Sequence, residues 1–536
     1  MSAAVPLRAR HERPFAGTGT LFRLALRRDR IMIPVWVLLL SLVVVSGSGT
    51  IEGLYDTAAK RAEFAASMST NGSLRALYGP VFSDSVGGLV AWRFGASAAV
   101  LAAVMSLLIV VRHTREEEET GRQEMIASGA VGRRAALTAA LLTAGAANAA
   151  VAVFVAAGLA GPTGDPAGGI ALGLGIAGVG LLFAGVAAIA AQLTESARLA
   201  RGLTGAVLGL AFGLRAAGDA GTAHGDAVLT WLSPLGWAEY LRPYAAERWW
   251  ILLLLGAAVV AQGAVAFVLA GRRDVGMSFL PTRPGPAEGR IGTPAALAWR
   301  LQRGTLYGWL AGFLAAGIVF GGMADGAADL VGENQGTREI FERMGGQSGM
   351  TDAFLAAIAG LFGMLAAVYA VASVLRLYGE EAGQRAEPVL VAAVGRIRWA
   401  ASHLTIAFGG AVAVVTAAGL GLAIGHGKDA GAVVGAALVL LPAVWLLAGV
   451  AVLVYGLFPR YAPAAWSLVG LALAIGWLGP ALDLPAAVLN LSPFSHLPKM
   501  PGDAMSWPPV LLLTGLAAVT TGAGLLSLRR RDLLTG

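Results

Sequence analysis

The chain contains no cysteine, which excludes disulfides, thiolate nucleophiles and cysteine-bound zinc or iron–sulfur centres. Its 6 histidines, His11, His113, His224, His403, His426 and His496, lie too far apart for any short metal-ligand spacing. A metalloenzyme is not expected. Of 39 basic residues only Lys60, Lys428 and Lys499 are lysines, and none closes a GxxxxGK[ST] loop. A nucleotide-binding P-loop needs that lysine to reach the phosphates, so ATP, if used, must be bound by another chain. Charge is scarce too: 13% of the 536 residues are charged and 57% are hydrophobic, with a mean hydropathy of +0.70. Soluble domains carry about 25% charged residues, and a water-soluble fold is excluded.

What the chain has in quantity is long runs of Ala, Val, Leu and Gly. A transmembrane barrel would show short alternating strands instead, so the expected class is an all-α polytopic membrane protein. Apolar windows bounded by charge predict about 12 spans. The first six run near Ile31 to Gly49, Leu89 to Val111, Ala135 to Leu159, Ile170 to Leu193, Arg198 to Ala217 and Ile251 to Ala270. The second six run near Leu306 to Met323, Ala353 to Leu375, Ala400 to Ile424, Val433 to Leu457, Ala465 to Leu482 and Trp507 to Leu528. With this count 28 of the 39 basic residues fall on the side of the N-terminus. By the positive-inside rule both termini are then cytoplasmic, and the net charge of +7 reflects topology rather than nucleic-acid binding. The polar, arginine-rich first 30 residues followed by an apolar run read as an uncleaved signal anchor.

The two halves repeat. Leu24-Ala25-Leu26-Arg27 and Arg30 before Trp36 recur as Leu297-Ala298-Trp299-Arg300 and Arg303 before Trp309. Glu118-Glu119-Thr120-Gly121-Arg122 and Glu124 recur as Glu380-Glu381-Ala382-Gly383, then Arg385 and Glu387, with one residue inserted between Gly383 and Arg385. Leu232-Ser233-Pro234 recurs as Leu491-Ser492-Pro493, and Arg273-Asp274 as Arg531-Asp532. Two parallel six-span halves are therefore expected, residues 1–274 and 295–536, joined by a cytoplasmic linker over 275–294 whose Pro281, Pro284 and Pro286 break any helix.

Three features carry chemistry. The segments Arg112 to Arg134 and Arg376 to Arg398 each place an acidic pair, a glycine, an arginine and another glutamate before a short apolar run. Such a segment forms a short amphipathic helix that can enter a groove on a partner; the alternative is a solvated cap on the spans. Repetition favours docking, because two knobs suit a partner that is itself a twofold dimer. Second, Gly218 to Tyr244 and Ala481 to Pro501 interrupt the apolar pattern at matching positions, which marks a transport path; the alternative is an aromatic belt joined by Trp249 and Trp250. Third, Phe22 to Arg30 and Ala296 to Arg303 read as interfacial helices at the inner leaflet or as simple positive-inside anchors. Arg93, Arg215, His403 and Asp483 fall at span ends, where snorkelling explains a charge without burial.

The repeated acidic motif with its closing Gly-Arg, the Leu232-Ser233-Pro234…Trp237 segment and the LSPFSHLP run from Leu491 resemble the bacterial ABC-2-type permeases of the "exporter of polyketide antibiotics" group, which includes the tetronasin-transport permeases. The resemblance covers nearly the whole chain. It implies an ABC-2 (type V exporter-like) fold with no cofactor on this chain, two copies of a separate ATPase that carry ATP and magnesium, and a hydrophobic or amphipathic small-molecule cargo reached through membrane lipid. It implies the cytoplasmic (inner) membrane of a bacterium as the location. Carried over by position, Glu118, Glu119, Gly121, Arg122 and Glu124 with Glu380, Glu381, Gly383, Arg385 and Glu387 are the coupling segments that seat on the ATPase. Trp231, Ser233, Pro234, Trp237, Ser492, Pro493 and His496 are external-gate candidates. The rival function is a proton-driven 12-helix drug antiporter, which needs acidic residues deep in the spans; the sequence places its acids in loops.

Overall fold

A backbone in lipid must satisfy its own hydrogen bonds, so long apolar segments have little choice but to become helices. The computed structural model describes residues 14–70, 72–127, 131–222, 227–274, 276–280, 289, 291–324, 349–392, 394–478 and 485–533. Among the described residues every regular element is helical, and 11 helices are long and apolar enough to cross a membrane. The chain divides into two compact units, Met1–Pro284 and Gly285–Gly536.

The first unit contains α1 (Thr18–Arg28), α2 (Met32–Leu54), α3 (Ala58–Thr70), α4 (Gly72–Tyr78), α5 (Val86–Arg112), α6 (Arg115–Glu119), α7 (Arg122–Ala127), α8 (Ala135–Thr163), α9 (Pro166–Leu193), α10 (Ala197–Gly221), α11 (Val228–Trp231), α12 (Pro234–Tyr240) and α13 (Trp250–Arg272). Its centre is α9, whose glycines and alanines let neighbours approach closely. A Cβ at Gly173 would strike the Ala152 backbone of α8, and one at Gly180 the Asn148 side chain. Asp165 starts α9 by accepting from the Ala167 and Gly168 amides, with Pro166 set for the first turn. The core runs from Val44 and Leu40 of α2 through Met105 and Ile109 of α5 to Val151 and Val155 of α8.

The second unit contains α14 (Pro294–Gly322), α15 (Met350–Ala382), α16 (Glu387–Val391), α17 (Arg396–His426), α18 (Ala430–Leu438), α19 (Leu441–Leu457), α20 (Ala465–Leu473), α21 (Ala486–Leu489) and α22 (Trp507–Arg530). Helices α14 and α17 meet along Gly317 and Gly321 on one side and Gly421 and Gly425 on the other, where an added Cβ would overlap the facing backbone. Small residues four apart on both faces are how helices associate where no hydrophobic drive separates lipid from protein. Gly321→Leu is expected to force these helices apart and lower stability by at least 1–3 kcal/mol, read as a fall in the thermal midpoint of the detergent-solubilised protein; the same change at Gly312, which has open space around it, should leave the midpoint unmoved.

Several expectations are revised. The eleventh expected span, Ala465 to Leu482, is α20 followed by a five-residue π-helical turn, Ala474–Leu478; residues 479–484, with Asp483, lie outside the described residues. The tenth, Val433 to Leu457, is one membrane-spanning segment, Ala430–Leu457, with a turn between α18 and α19 where Pro442 cannot donate back to the preceding turn. The interfacial helix appears only in the first half: α1 stops before Asp29, whereas Ala296 to Arg303 is continuous with the span in α14. The buried Asp29 carboxylate turns onto Arg112 at 3.1 Å and His113 at 2.6 Å, while the corresponding Gln302 stays in a straight helix and meets His403 at 3.1 Å. Arg93 is exposed, its guanidinium 4.3 Å over the Tyr78 ring. Arg215 and His403 do not snorkel; both are buried.

Candidate functional site

Helix α5 runs past its apolar length and ends in the acidic run of α6. There Glu117 and Glu118 turn inward, whereas Glu119 of the expected pair is exposed. The Glu118 side chain is 7% exposed and grips Arg273, at the end of α13, through two bonds of 2.6 and 2.9 Å, with Arg115 adding a third at 2.7 Å. Two charge-assisted bonds to one guanidinium fix both distance and plane. Arg273 Nε donates to Gln192 at 2.6 Å, and Arg133 Nη2 donates to the Arg273 carbonyl at 2.5 Å. Glu117 pairs with Arg28 of α1 and lies 3.5 Å from Arg122, while Glu116 pairs with Arg201. The base of the segment therefore ties α1, α5, α10 and α13 together.

The second unit repeats the arrangement. Glu381, 2% exposed, takes Arg531 at the end of α22 through two bonds of 2.7 Å and accepts from the Tyr455 hydroxyl. Glu380 bridges Arg376 and Arg385, both at 3.0 Å, and Arg396 donates to the Arg531 carbonyl. The pairs differ in one contact: Tyr455 donates to the Glu381 carboxylate, whereas Gln192 in the first unit accepts from the Arg273 guanidinium.

These contacts correct the register of the repeat. Glu117, Glu118, Gly121, Arg122 and Glu124 correspond to Glu380, Glu381, Gln384, Arg385 and Glu387 at one constant offset, with no insertion. The turn geometry agrees: Gly121 has φ +70° and accepts its place by donating to the Glu118 carbonyl, and Gln384 has φ +57° and donates to the Glu381 carbonyl. Gly383 is an ordinary helix cap at φ −86°, so the position that favours glycine is held by a glutamine in the second copy.

Past the turn both copies open to solvent. In the first, Glu119, Arg122 and Glu124 are exposed and Met125 is 71% exposed. In the second, Arg385, Glu387 and Pro388 are exposed and Val391 is 87% exposed. Each copy thus has a buried ionic base and a short helix, α7 or α16, that offers a charged rim around an apolar tip.

The gate candidates come together at the other end of each unit. Ser233 is buried; its hydroxyl donates to the Ala211 carbonyl of α10 at 2.7 Å and accepts the Leu235 amide, with Pro234 opening α12. Trp237 Nε1 donates to the Trp231 carbonyl at 2.7 Å, and Trp231 stacks on Tyr240 at 4.3 Å. Ser492 is likewise buried and reaches the Ala472 carbonyl of α20 at 3.4 Å, with Pro493 starting a 3-10 turn that ends at the exposed His496, whose ring lies 2.9 Å from the Asn490 carbonyl. In both units a serine pins the elbow to the helix before it.

One constellation escapes sequence reading. Beside Ser233, the buried Arg215 guanidinium lies 3.4 Å from both Asp219 and Glu239 and donates to the Ala76 and Leu77 carbonyls at 2.8 and 2.9 Å. Thr230 donates to Asp219 at 2.7 Å, and Arg75 donates to the Asp219 and Ala220 carbonyls. The Arg215 and Asp219 spacing of four is a signal that the sequence carries, but Glu239 stands alone within its segment. Burial, reinforced by the negative charge of Asp219 and opposed by Arg215, pushes the Glu239 carboxyl up to about 8.

Among the described residues no group of three or more His, Asp or Glu could hold a metal ion.

The chain is 42% identical to the multidrug efflux system permease protein Rv1217c of Mycobacterium tuberculosis (strain ATCC 25618 / H37Rv) over 550 aligned residues, which cover 99% of this chain and 100% of that protein. The family described as multidrug efflux system permease Rv1217c, C-terminal domain, matches residues 291–529.

Proposed function

The chain belongs to the family of the multidrug efflux system permease Rv1217c, and from that membership we propose that it is the membrane subunit of an ATP-driven exporter whose ATPase is a separate polypeptide present in two copies. The observation that carries this reading is the repeated constellation of buried base and exposed tip. Each tip would seat in a groove of one ATPase copy, which supplies ATP and magnesium. Each base, Glu118 on Arg273 or Glu381 on Arg531, would carry the tip's displacement to the second and last spans of its own half. A rigid ionic link suits that task, since a mobile loop would absorb the motion. The lipophilic walls of the spans suit hydrophobic or amphipathic cargo, including polyketide-like antibiotics, taken from the inner leaflet of a bacterial cytoplasmic membrane, with both termini cytoplasmic. No chemistry on this chain is needed: it moves cargo and catalyses nothing.

The cluster of Arg215, Asp219 and Glu239 gives the proton-driven antiporter a specific observation, because it is a buried acidic pair of the kind that sequence reading does not find. Among the described residues the second unit does not repeat it: at the offset of the Leu-Ser-Pro repeat, Ala474, Leu478 and Pro498 stand where the first unit has Arg215, Asp219 and Glu239. The two readings separate by energy source. In inverted membrane vesicles holding the permease and its ATPase, uptake of a fluorescent lipophilic drug should require ATP and survive a protonophore. Uptake that persists without ATP and stops with the protonophore would assign the chain to the antiporters.

A further inference from the structure

Glu239 does more than complete an ion cluster. It lines an open cleft in the first unit, walled by Tyr78, Phe82 and Trp92 and floored by the small residues Gly95 of α5 and Gly175 of α9. The cleft sits at the end of α5 opposite the Glu118 clamp. Its walls are aromatic and fixed: Trp92 Nε1 donates to the Gly79 carbonyl at 2.8 Å, and Tyr78 packs on Trp92 at 5.1 Å. Cations already settle against these walls, with Arg93 4.3 Å over Tyr78 and Arg242 4.5 Å over Phe82. An aromatic cleft with one carboxylate is the arrangement that binds an organic cation, by cation–π attraction at its walls and charge pairing at its end.

We propose that this cleft is a binding site for lipophilic organic cations, with Glu239 as the counter-ion.

The charge balance decides how it works. Asp219 Oδ2 and Glu239 Oε1 accept no hydrogen bond, although Arg215 Nη1 lies 3.4 Å from Asp219 Oδ2, so the empty site is satisfied when the two carboxyls share one proton. With that proton the cluster holds one negative charge against the Arg215 guanidinium. Arg75, from α4, is committed to the carbonyls at the end of α10, and Thr230 of α11 brings no charge. Arg93 and Arg242 lie on the far rings rather than at the carboxylates. Removing the proton leaves a second negative charge that Arg215 alone does not neutralise, and a cation in the cleft supplies what is missing. Below about pH 8, where Glu239 holds its proton, binding must therefore expel one proton to solvent. Above it the carboxylate is already ionised. The second unit has a cleft behind its own elbow, but Lys499 lines that one, which disfavours a cation there.

The inference rests on reading the chain as an efflux permease and names a cargo class for it. It is tested by equilibrium binding to the purified full chain without any ATPase, so failure of ATP coupling would not affect the result. The probe is tetraphenylphosphonium, which cannot gain or lose a proton, and equilibrium dialysis of the probe measures binding. Affinity should rise about thirtyfold between pH 6.5 and pH 9, as the ionised fraction of Glu239 does. Glu239→Gln, which resembles the protonated carboxyl and should fold as the parent does at pH 7, has no proton to expel and is expected to bind no better than the parent at low pH, with no rise. Gly95→Leu, which fills the cleft from α5, should abolish binding. Binding with no pH dependence, a pH dependence retained in Glu239→Gln, or no binding at either pH would overturn the proposal.

Discussion

Glu118→Lys and Glu381→Lys are each expected to cost the permease about 3–5 kcal/mol of stability, the usual effect of breaking a buried ion pair from one side. The replaced side chains are nearly inaccessible, and the change leaves Arg273 or Arg531 without its carboxylate while adding a new positive charge beside it. In the first unit Arg115 would also lose its partner. The loss should appear as a lower thermal midpoint and poor recovery from the membrane, before any partner is added. Glu118→Gln, which keeps the shape and loses the charge, should fall between parent and Glu118→Lys. The exchange Glu118→Arg with Arg273→Glu should recover part of the loss if the pair itself is what matters. A normal midpoint for both lysine variants would show that these acids sit in water as caps on the spans.

Met125→Asp and Val391→Asp are expected to behave in the opposite way. Both side chains are largely exposed, at 71% and 87%, and substitutions at such positions usually change stability by no more than about 0.5 kcal/mol. If the tips enter grooves on an ATPase, each aspartate puts a charge into a desolvated pocket, and central apolar anchors of that kind are worth about 2 kcal/mol or more. That corresponds to at least about a thirtyfold loss of affinity per site at 1.4 kcal/mol for each tenfold. ATPase capture by the tagged permease, measured beside its thermal midpoint, separates the two variant classes: the buried base fails by unfolding, the exposed tip by losing its partner. Equal effects on both readouts from both classes would remove the division between base and tip.

Much of this arrangement is legible in the sequence, and the reasons for the gaps are physical. Spans are read from hydropathy because lipid allows no other solution, and the repeat is read from polar anchors that stand out in an apolar background. Glu118 and Arg273 are both recognised as repeated, yet their bond is not, because 155 residues separate them and charge alone points every acid towards water. The register of the second copy is misread because Gly383 attracts the alignment, although it is Gln384 that takes the left-handed turn. In the eleventh expected span the α-helix widens into a π-helical turn at Ala474–Leu478, because apolar composition fixes a place in the membrane but not the hydrogen-bond register of the helix. Arg215 is assigned to snorkelling by its position near a span end; only the fold brings Asp219, Glu239 and two carbonyls of α4 around it.

The most direct test of the account is the composition of the complex that the full-length chain forms. A tagged copy is expressed with its neighbouring genes, purified in a mild detergent, and the bound chains are identified and counted. The account expects a P-loop ATPase at two copies per permease, retained in the presence of ATP and lost from the Met125→Asp, Val391→Asp double variant. Recovery of the permease alone under conditions where it still transports drug would contradict it.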